Sequence, residues 1–206
     1  MKLRESKISM HPLFGYVPDY SILYIDQLVK SFDVHFKVVS PRKTKLGDCR
    51  YPIGTKEKIT ITINKDLHPF QFLVTSLHEL AHAKTFREFG MKASAHGKEW
   101  KNNFSKILLD ASSLDNVNDE EISVLRSLSN NPKATSYGHD SLQMLVKKEN
   151  DILLKDIPDD SLFYFNKSVF RKIKLLRTYV LCSNGQNNKR YKIHGAVHIT
   201  RYRANN

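Results

Sequence analysis

Residues 69–89 read Pro-Phe-Gln-Phe-Leu-Val-Thr-Ser-Leu-His-Glu-Leu-Ala-His-Ala-Lys-Thr-Phe-Arg-Glu-Phe, and Gly90 follows. Proline in a first helical turn gives up no hydrogen bond, and glycine just past the last turn accepts the backbone conformation that ends a helix. Between them Phe70, Leu73, Val74, Leu77 and Ala81 recur at helical spacing, which predicts a helix with one buried stripe. His78 and His82 lie beside that stripe. Side chains four apart on a helix share a face, with Cβ atoms roughly 5–6 Å apart. Two imidazoles so placed can converge on one zinc ion at about 2.0–2.1 Å each. Glu79 lies about 100° further round the helix. From there a carboxylate can take a proton from water activated at the ion without becoming a ligand itself. The plain alternative is a buried helix carrying two hydrogen-bonded histidines.

A catalytic zinc site keeps three protein ligands and one open position. The third candidate is His96, in Ala95-His96-Gly97-Lys98-Glu99-Trp100, 14 residues past His82 and beyond the Gly90 break. His96 opens a second amphipathic pattern, with Trp100, Phe104, Ile107 and Leu108 on one face. Two helices joined by a short loop can pack side by side and return His96 to the pair. Glu99, Glu120 and Glu121 are the rival third ligands, and a plain helix start is the remaining reading of His96.

The residues His78-Glu79-Leu80-Ala81-His82-Ala83, followed by His96-Gly97-Lys98-Glu99-Trp100, resemble the SprT-like zinc metallopeptidases. Lys45-Leu46-Gly47-Asp48-Cys49-Arg50 and Thr60-Ile61-Thr62-Ile63-Asn64 look like that family's strands ahead of the metal helix, so the likeness spans roughly residues 15–110. The resemblance implies an α+β, zincin-like catalytic domain with a small three-stranded sheet and the H-E-x-x-H helix. It implies His78, His82 and His96 as zinc ligands and Glu79 as catalytic base. It further implies hydrolysis of peptide bonds in protein substrates, DNA-associated or DNA-crosslinked proteins among them. The chain departs from the family in one respect. Many members end in a four-cysteine zinc ribbon, whereas Cys49 and Cys182 are the only cysteines here, so a four-thiolate site is impossible.

Two cysteines in 206 residues give no disulfide framework, which favours a reducing compartment, and no apolar run approaches a membrane span. Met1 to Tyr20 lacks the apolar core of a secretory signal. The expectation is a cytoplasmic protein, nucleoid-associated if it meets DNA, with no membrane partner.

Charge is unevenly placed. The last 46 residues carry +10 with no Asp or Glu, leaving +2 for the first 160. Such asymmetry points to an anionic partner, nucleic acid foremost, with DNA favoured by the family likeness. The candidate contacts are Arg171, Lys172, Lys174, Arg177, Lys189, Arg190, Lys192, Arg201 and Arg203, with Lys167 also in the segment. Phe163, Tyr164, Phe165, Phe170, Tyr179, Tyr191 and Tyr202 are interleaved with them, and exposed rings can stack on bases while cations hold phosphates. The competing reading is that these rings fill a small β core. A nucleic-acid-binding protein with a structural or vestigial zinc site is therefore the alternative to the peptidase.

Period and punctuation divide the chain into a catalytic domain at 1–150 and a basic antiparallel β module at 151–206. The first should contain a helix through Ile22, Ile25, Leu28, Val29 and Phe32, strands at Val34–Val39, Lys43–Arg50 and Lys58–Asn64, and helices at 69–89 and about 97–110. Asn118-Asp119 can cap a further helix, and Asp140 another. The module should hold strands at Leu162–Phe165, Val169–Ile173, Leu175–Cys182, Arg190–His194 and Ala196–Arg201. A free edge of strand 58–64 is expected to align an extended substrate by main-chain pairing. Cys49 and Cys182 read as buried, inert thiols, His194 and His198 as surface side chains, and His68 as a cap at the start of the metal helix.

Overall fold

A computed structural model describes residues 11–42, 44–52, 58–135, 139–146, 152–165, 168–199 and 202–204. Arg201, Lys167, Gly54 and residues 1–10 lie outside the described residues. The chain forms two compact units, Met1–Ala134 and Thr135–Asn206. The division falls before 150 because helix Asp140–Leu145 belongs with the second unit, where the Gln143 carbonyl meets His198 Nε2 at 3.2 Å.

The first unit is mixed α and β. Its elements are α1 (Ile22–Ser31), β1 (Val34–Val39), β2 (Gly47–Arg50), β3 (Ile59–Asn64), α2 (Pro69–Phe89), α3 (Lys98–Ser112) and α4 (Asp119–Asn130). The sheet runs β1-β3-β2, with β1 parallel and β2 antiparallel to β3. Ile59, Ile61 and Ile63 alternate inward from β3 and are fully buried. α4 begins where the Asn118 side chain accepts the Glu121 N–H at 2.8 Å. β2 starts later than the sequence suggests. Asn64 Nδ2 donates to the Arg42 and Lys45 carbonyls at 3.2 and 2.9 Å, and those bonds hold the preceding segment as a clasp rather than a ladder.

α2 departs from a single-stripe helix. Phe72, Leu80, Ala83 and Thr85 are buried along with the expected stripe. The helix packs against β2, β3, α1 and α3, so most of its circumference is interior. Buried hydroxyls in it are satisfied locally: Thr75, Ser76 and Thr85 donate to the carbonyls four residues back at 2.7, 2.8 and 2.7 Å.

The second unit holds α5 (Asp140–Leu145), β4 (Ile152–Leu153), β5 (Leu162–Phe165), β6 (Ser168–Leu175), β7 (Tyr179–Asn184), β8 (Arg190–His194), β9 (His198–Ile199) and β10 (Tyr202–Arg203). Five strands form one antiparallel sheet in the order β10-β5-β6-β7-β8, and β4 pairs with β9. Phe163, Phe170, Val180 and Cys182 close over Leu154, Ile157, Val197 and Ile199 as its core. The expected Leu175–Cys182 strand is shifted toward Asn184 because the chain turns at Leu176, whose N–H donates to the Tyr179 carbonyl at 2.7 Å. No helix among the described residues is long and apolar enough to cross a membrane.

Candidate metal centre

α2 presents His78 and His82 on one face, and α3 packs beside it so that the loop before α3 returns His96 to them. The three Nε2 atoms form a near-equilateral triangle: His78 to His82 is 3.2 Å, His82 to His96 is 3.0 Å and His96 to His78 is 3.2 Å. Hydrogen bonding alone cannot satisfy that triangle. Around a ring of three nitrogens, donors and acceptors cannot alternate, so at least one pair faces like against like. A cation removes the conflict, because all three lone pairs can then point at it. Tetrahedral coordination with bonds of about 2.0–2.1 Å places ligand nitrogens about 3.3–3.4 Å apart, close to what the imidazoles already adopt. The residues present therefore fit a metal ion.

The surroundings keep these imidazoles neutral. Burial, then His82 and His96, hold His78 well below the usual imidazole range. Burial and His96 bring His82 down to about 4, and burial lowers His96. Neutral imidazole is the ligating form. Trp100 packs on all three rings, with centroids 4.7, 5.2 and 4.6 Å from those of His78, His82 and His96. Phe104 adds an edge contact to His78 at 5.4 Å. The apolar face of α3 thus serves as the floor that fixes the ligand rotamers. His96 has a positive φ of 91°, uncommon for a side chain with a Cβ. Gly97 N–H donates to the Ser94 carbonyl at 2.9 Å, closing the turn that imposes this conformation. A strained backbone at a ligand marks a place where packing overrules local preference.

Glu79 is buried, 8 % exposed, and burial pushes its carboxyl up to about 8; Asp48 adds to the rise while Arg42 and Lys45 oppose it. Its neighbour on the sheet is Gly47. A Cβ there would lie 2.7 Å from Glu79 Oε1, 2.9 Å from its Cγ and 2.8 Å from Thr75 Cγ2. Only glycine lets β2 approach the metal helix at this point. Sequence reading missed Gly47, although an isolated glycine inside a strand pattern is the signal for such an approach. It also missed the clasp beside it. Arg42 donates to Asn64 Oδ1 at 2.9 Å, Thr62 Oγ1 at 2.8 Å and the Thr62 carbonyl at 3.1 Å, fixing the segment that carries Lys45.

Among the described residues, His78, His82 and His96 form the one group placed to hold a metal. Glu99 instead lines a groove with Lys84, Glu88 and Lys106. Glu121 accepts from Tyr20 at 3.0 Å, and Glu120 is exposed. His68 caps α2, its Nδ1 accepting the Phe70 N–H at 3.3 Å. Cys49 is half-buried on β2, and burial and the Glu79 charge push its thiol up, away from the reactive thiolate. Cys182 is fully buried, its thiol pushed up to about 11 by burial.

The candidate phosphate contacts separate in the second unit. Arg171, Lys174, Arg177, Lys189, Arg190, Lys192 and Arg203 are exposed. Lys172 is not: it is 3 % exposed, and its ammonium donates to the Ile157 and Lys155 carbonyls at 2.6 and 3.1 Å and faces Asp159 at 3.3 Å. It is an internal strut and cannot reach a phosphate. His198 is half-buried and engaged with Gln143, and His194 Nδ1 accepts the Ala196 N–H at 3.1 Å, so neither is a simple surface side chain.

No protein-family model, curated protein or solved structure matches this chain.

Proposed function

We propose that the protein is a zinc-dependent endopeptidase acting on protein substrates. The observation that carries this reading is the Nε2 triangle of His78, His82 and His96 with the buried Glu79 carboxyl on the same helix. A purely structural site has no use for a carboxyl held in that position. Zinc bound by the three imidazoles would supply Lewis acidity, lowering the pKa of water and polarising a carbonyl. Glu79 would accept the proton of the attacking water and deliver it to the departing amine. Its raised proton affinity suits both halves of that exchange.

Substrate alignment falls to a different strand from the one the sequence suggests. β3 is paired on both sides, by β1 and β2, and has no free edge. β2 is an edge strand, and Gly47 brings it against Glu79. An extended peptide pairing with β2 would run past the carboxyl, held by main-chain hydrogen bonds that read no side chains. Sequence-tolerant cleavage follows. The family resemblance extends the proposal to proteins associated with or crosslinked to DNA.

Glu79→Gln tests the assignment. The variant should retain one metal per chain by elemental analysis and lose cleavage of an unstructured protein such as casein by about 10²–10⁴-fold, the usual contribution of a general base. Undiminished cleavage by purified Glu79→Gln protein would remove the carboxyl from the mechanism and the peptidase assignment with it.

A further inference from the structure

The five-stranded sheet of the second unit places its cations on one face, in register. Directly opposed residues of antiparallel strands share a face. The pairs Arg203↔Leu162, Leu162↔Arg171, Arg171↔Ser183 and Ser183↔Arg190 therefore make a continuous row across all five strands. Arg203, Arg171 and Arg190 occupy alternate strands of that row. With neighbouring strands about 4.8 Å apart, they stand roughly 10 Å from one another over a span of about 19 Å.

A second row runs Lys174↔Leu181↔Lys192. Simple alternation would put Lys174 on the inner face with Lys172. The register shift between Lys172 and Lys174 is a bulge that turns Lys174 out to join Arg171. All five cations are exposed, and none is in an ion pair among the described residues. No Asp or Glu occurs in residues 161–206 to neutralise them. Tyr164 lies on the same face, opposite Val169, and is 50 % exposed. The inner face holds the buried Phe163 and Phe170.

We infer that this sheet face binds a single strand of nucleic acid, its phosphodiesters following the two basic rows and a base stacking on Tyr164. Charge complementarity selects the occupant: a polyanion meets five unpaired cations in ordered rows. The exposed ring selects a single strand over a duplex, because stacking needs a base whose face is free. The bulge gives the arrangement a structural cause beyond a generally basic composition. The inference stands apart from the metal centre and draws on none of its residues.

The test measures binding of full-length protein to a fluorescein-labelled oligothymidylate of about 15 nucleotides, a span chosen to exceed the sheet, across a salt series. Arg171→Ser/Arg190→Ser/Arg203→Ser should weaken binding at least about 30-fold and flatten the log–log salt slope by about 2, since each phosphate neutralised on a single strand adds roughly 0.7 to that slope. Tyr164→Ala should weaken binding about 5-fold or more and leave the slope unchanged. Arg177→Ser, in the β6–β7 turn, should change affinity less than either. Circular dichroism and thermal melts should show all variants folded, since each substitution is at an exposed position. An oligouridylate arm separates RNA from DNA. Unchanged affinity and slope in the triple variant would overturn the proposal. So would tighter binding of wild-type protein to a duplex of equal length, or to phosphatidylserine vesicles, than to the single strand.

Discussion

The two units treat ionisable side chains in opposite ways. In the first, three imidazoles and a carboxyl are drawn out of water, and burial dominates the proton affinity of each. In the second, cations stand in solvent along a sheet whose buried core residues face the other way. Burial gives a few groups unusual chemistry and couples them tightly to packing. Exposure leaves ordinary charges, individually dispensable, whose effect comes from number and register. Substitutions in the first unit should therefore act sharply and depend on pH, and those on the sheet face should act in small, additive steps.

The largest expected effect is on the metal-free protein. Glu79 has a folded value of about 8 against an ordinary 4.5, so between those values the folded state binds the extra proton. Stability then falls as pH rises from about 4.5 to about 8, and stays lowered above that. The imidazoles act in the other direction. His82 falls to about 4 from an ordinary 6.5, so stability falls as pH drops through that interval. Chemical denaturation of chelator-treated protein should show the alkaline loss, several kcal/mol in size, and Glu79→Gln should abolish it while keeping the acid limb. Zinc should flatten the alkaline limb, since a cation favours the carboxylate, and extend the acid limb to lower pH, since it competes with protons for the folded-state imidazoles. An alkaline slope that survives in Glu79→Gln would show that the carboxyl is not the group withdrawn from water.

Gly47→Ala comes next. The new Cβ must displace Glu79 or push β2 from α2, and a misplacement of about 1 Å in a catalytic group costs on the order of 100-fold in rate. Metal content should stay at the wild-type level, because the atoms nearest to a Cβ at position 47 belong to Glu79 and Thr75 and not to the three imidazoles. Steady-state kinetics with elemental analysis would separate these effects. A variant with wild-type turnover would mean that the close approach of β2 does not set the position of Glu79.

Legibility in sequence follows the same division. α2 spans Pro69–Phe89, the range its proline and glycine punctuation predicts, and the two histidines fall on one face, because helix spacing is a local property. The Asn118 cap and the apolar face of α3 are equally readable. His96 is one candidate among four in the sequence, since no periodicity reports how a loop returns a side chain to a neighbouring helix. Gly47, the Arg42–Asn64 clasp and the wrapping of α2 on several sides depend on contacts between distant segments, and a single sequence carries those only weakly. In the second unit the charge asymmetry is plain, but the aromatic residues divide. Phe163 and Phe170 belong to the core, whereas Tyr164, Tyr179, Tyr191 and Tyr202 are on the surface. The β-core reading thus holds for Phe163 and Phe170, while the tyrosines are exposed on both faces: Tyr164 and Tyr179 on the cation face, Tyr191 and Tyr202 opposite Cys182 and Phe163.

Arg171 and Lys172 are adjacent in sequence and test the comparison most finely. Alternation along β6 sends them to opposite faces. Lys172→Met keeps the aliphatic bulk and removes the ammonium, leaving two interior carbonyls without their donor and Asp159 without its ion pair. Loss of such a buried donor costs about 1–3 kcal/mol. Arg171→Ser removes an exposed cation with no partner among the described residues and should change stability by no more than about 0.5 kcal/mol. Nucleic-acid affinity should show the reverse order, with Arg171→Ser weakening it and Lys172→Met leaving it nearly unchanged at temperatures where the unit stays folded. Denaturation midpoints and binding isotherms for the two variants would display the crossing directly. If Lys172→Met weakened binding as much as Arg171→Ser without loss of stability, the ammonium would have to reach solvent, and the assignment of the two faces of the sheet would fail.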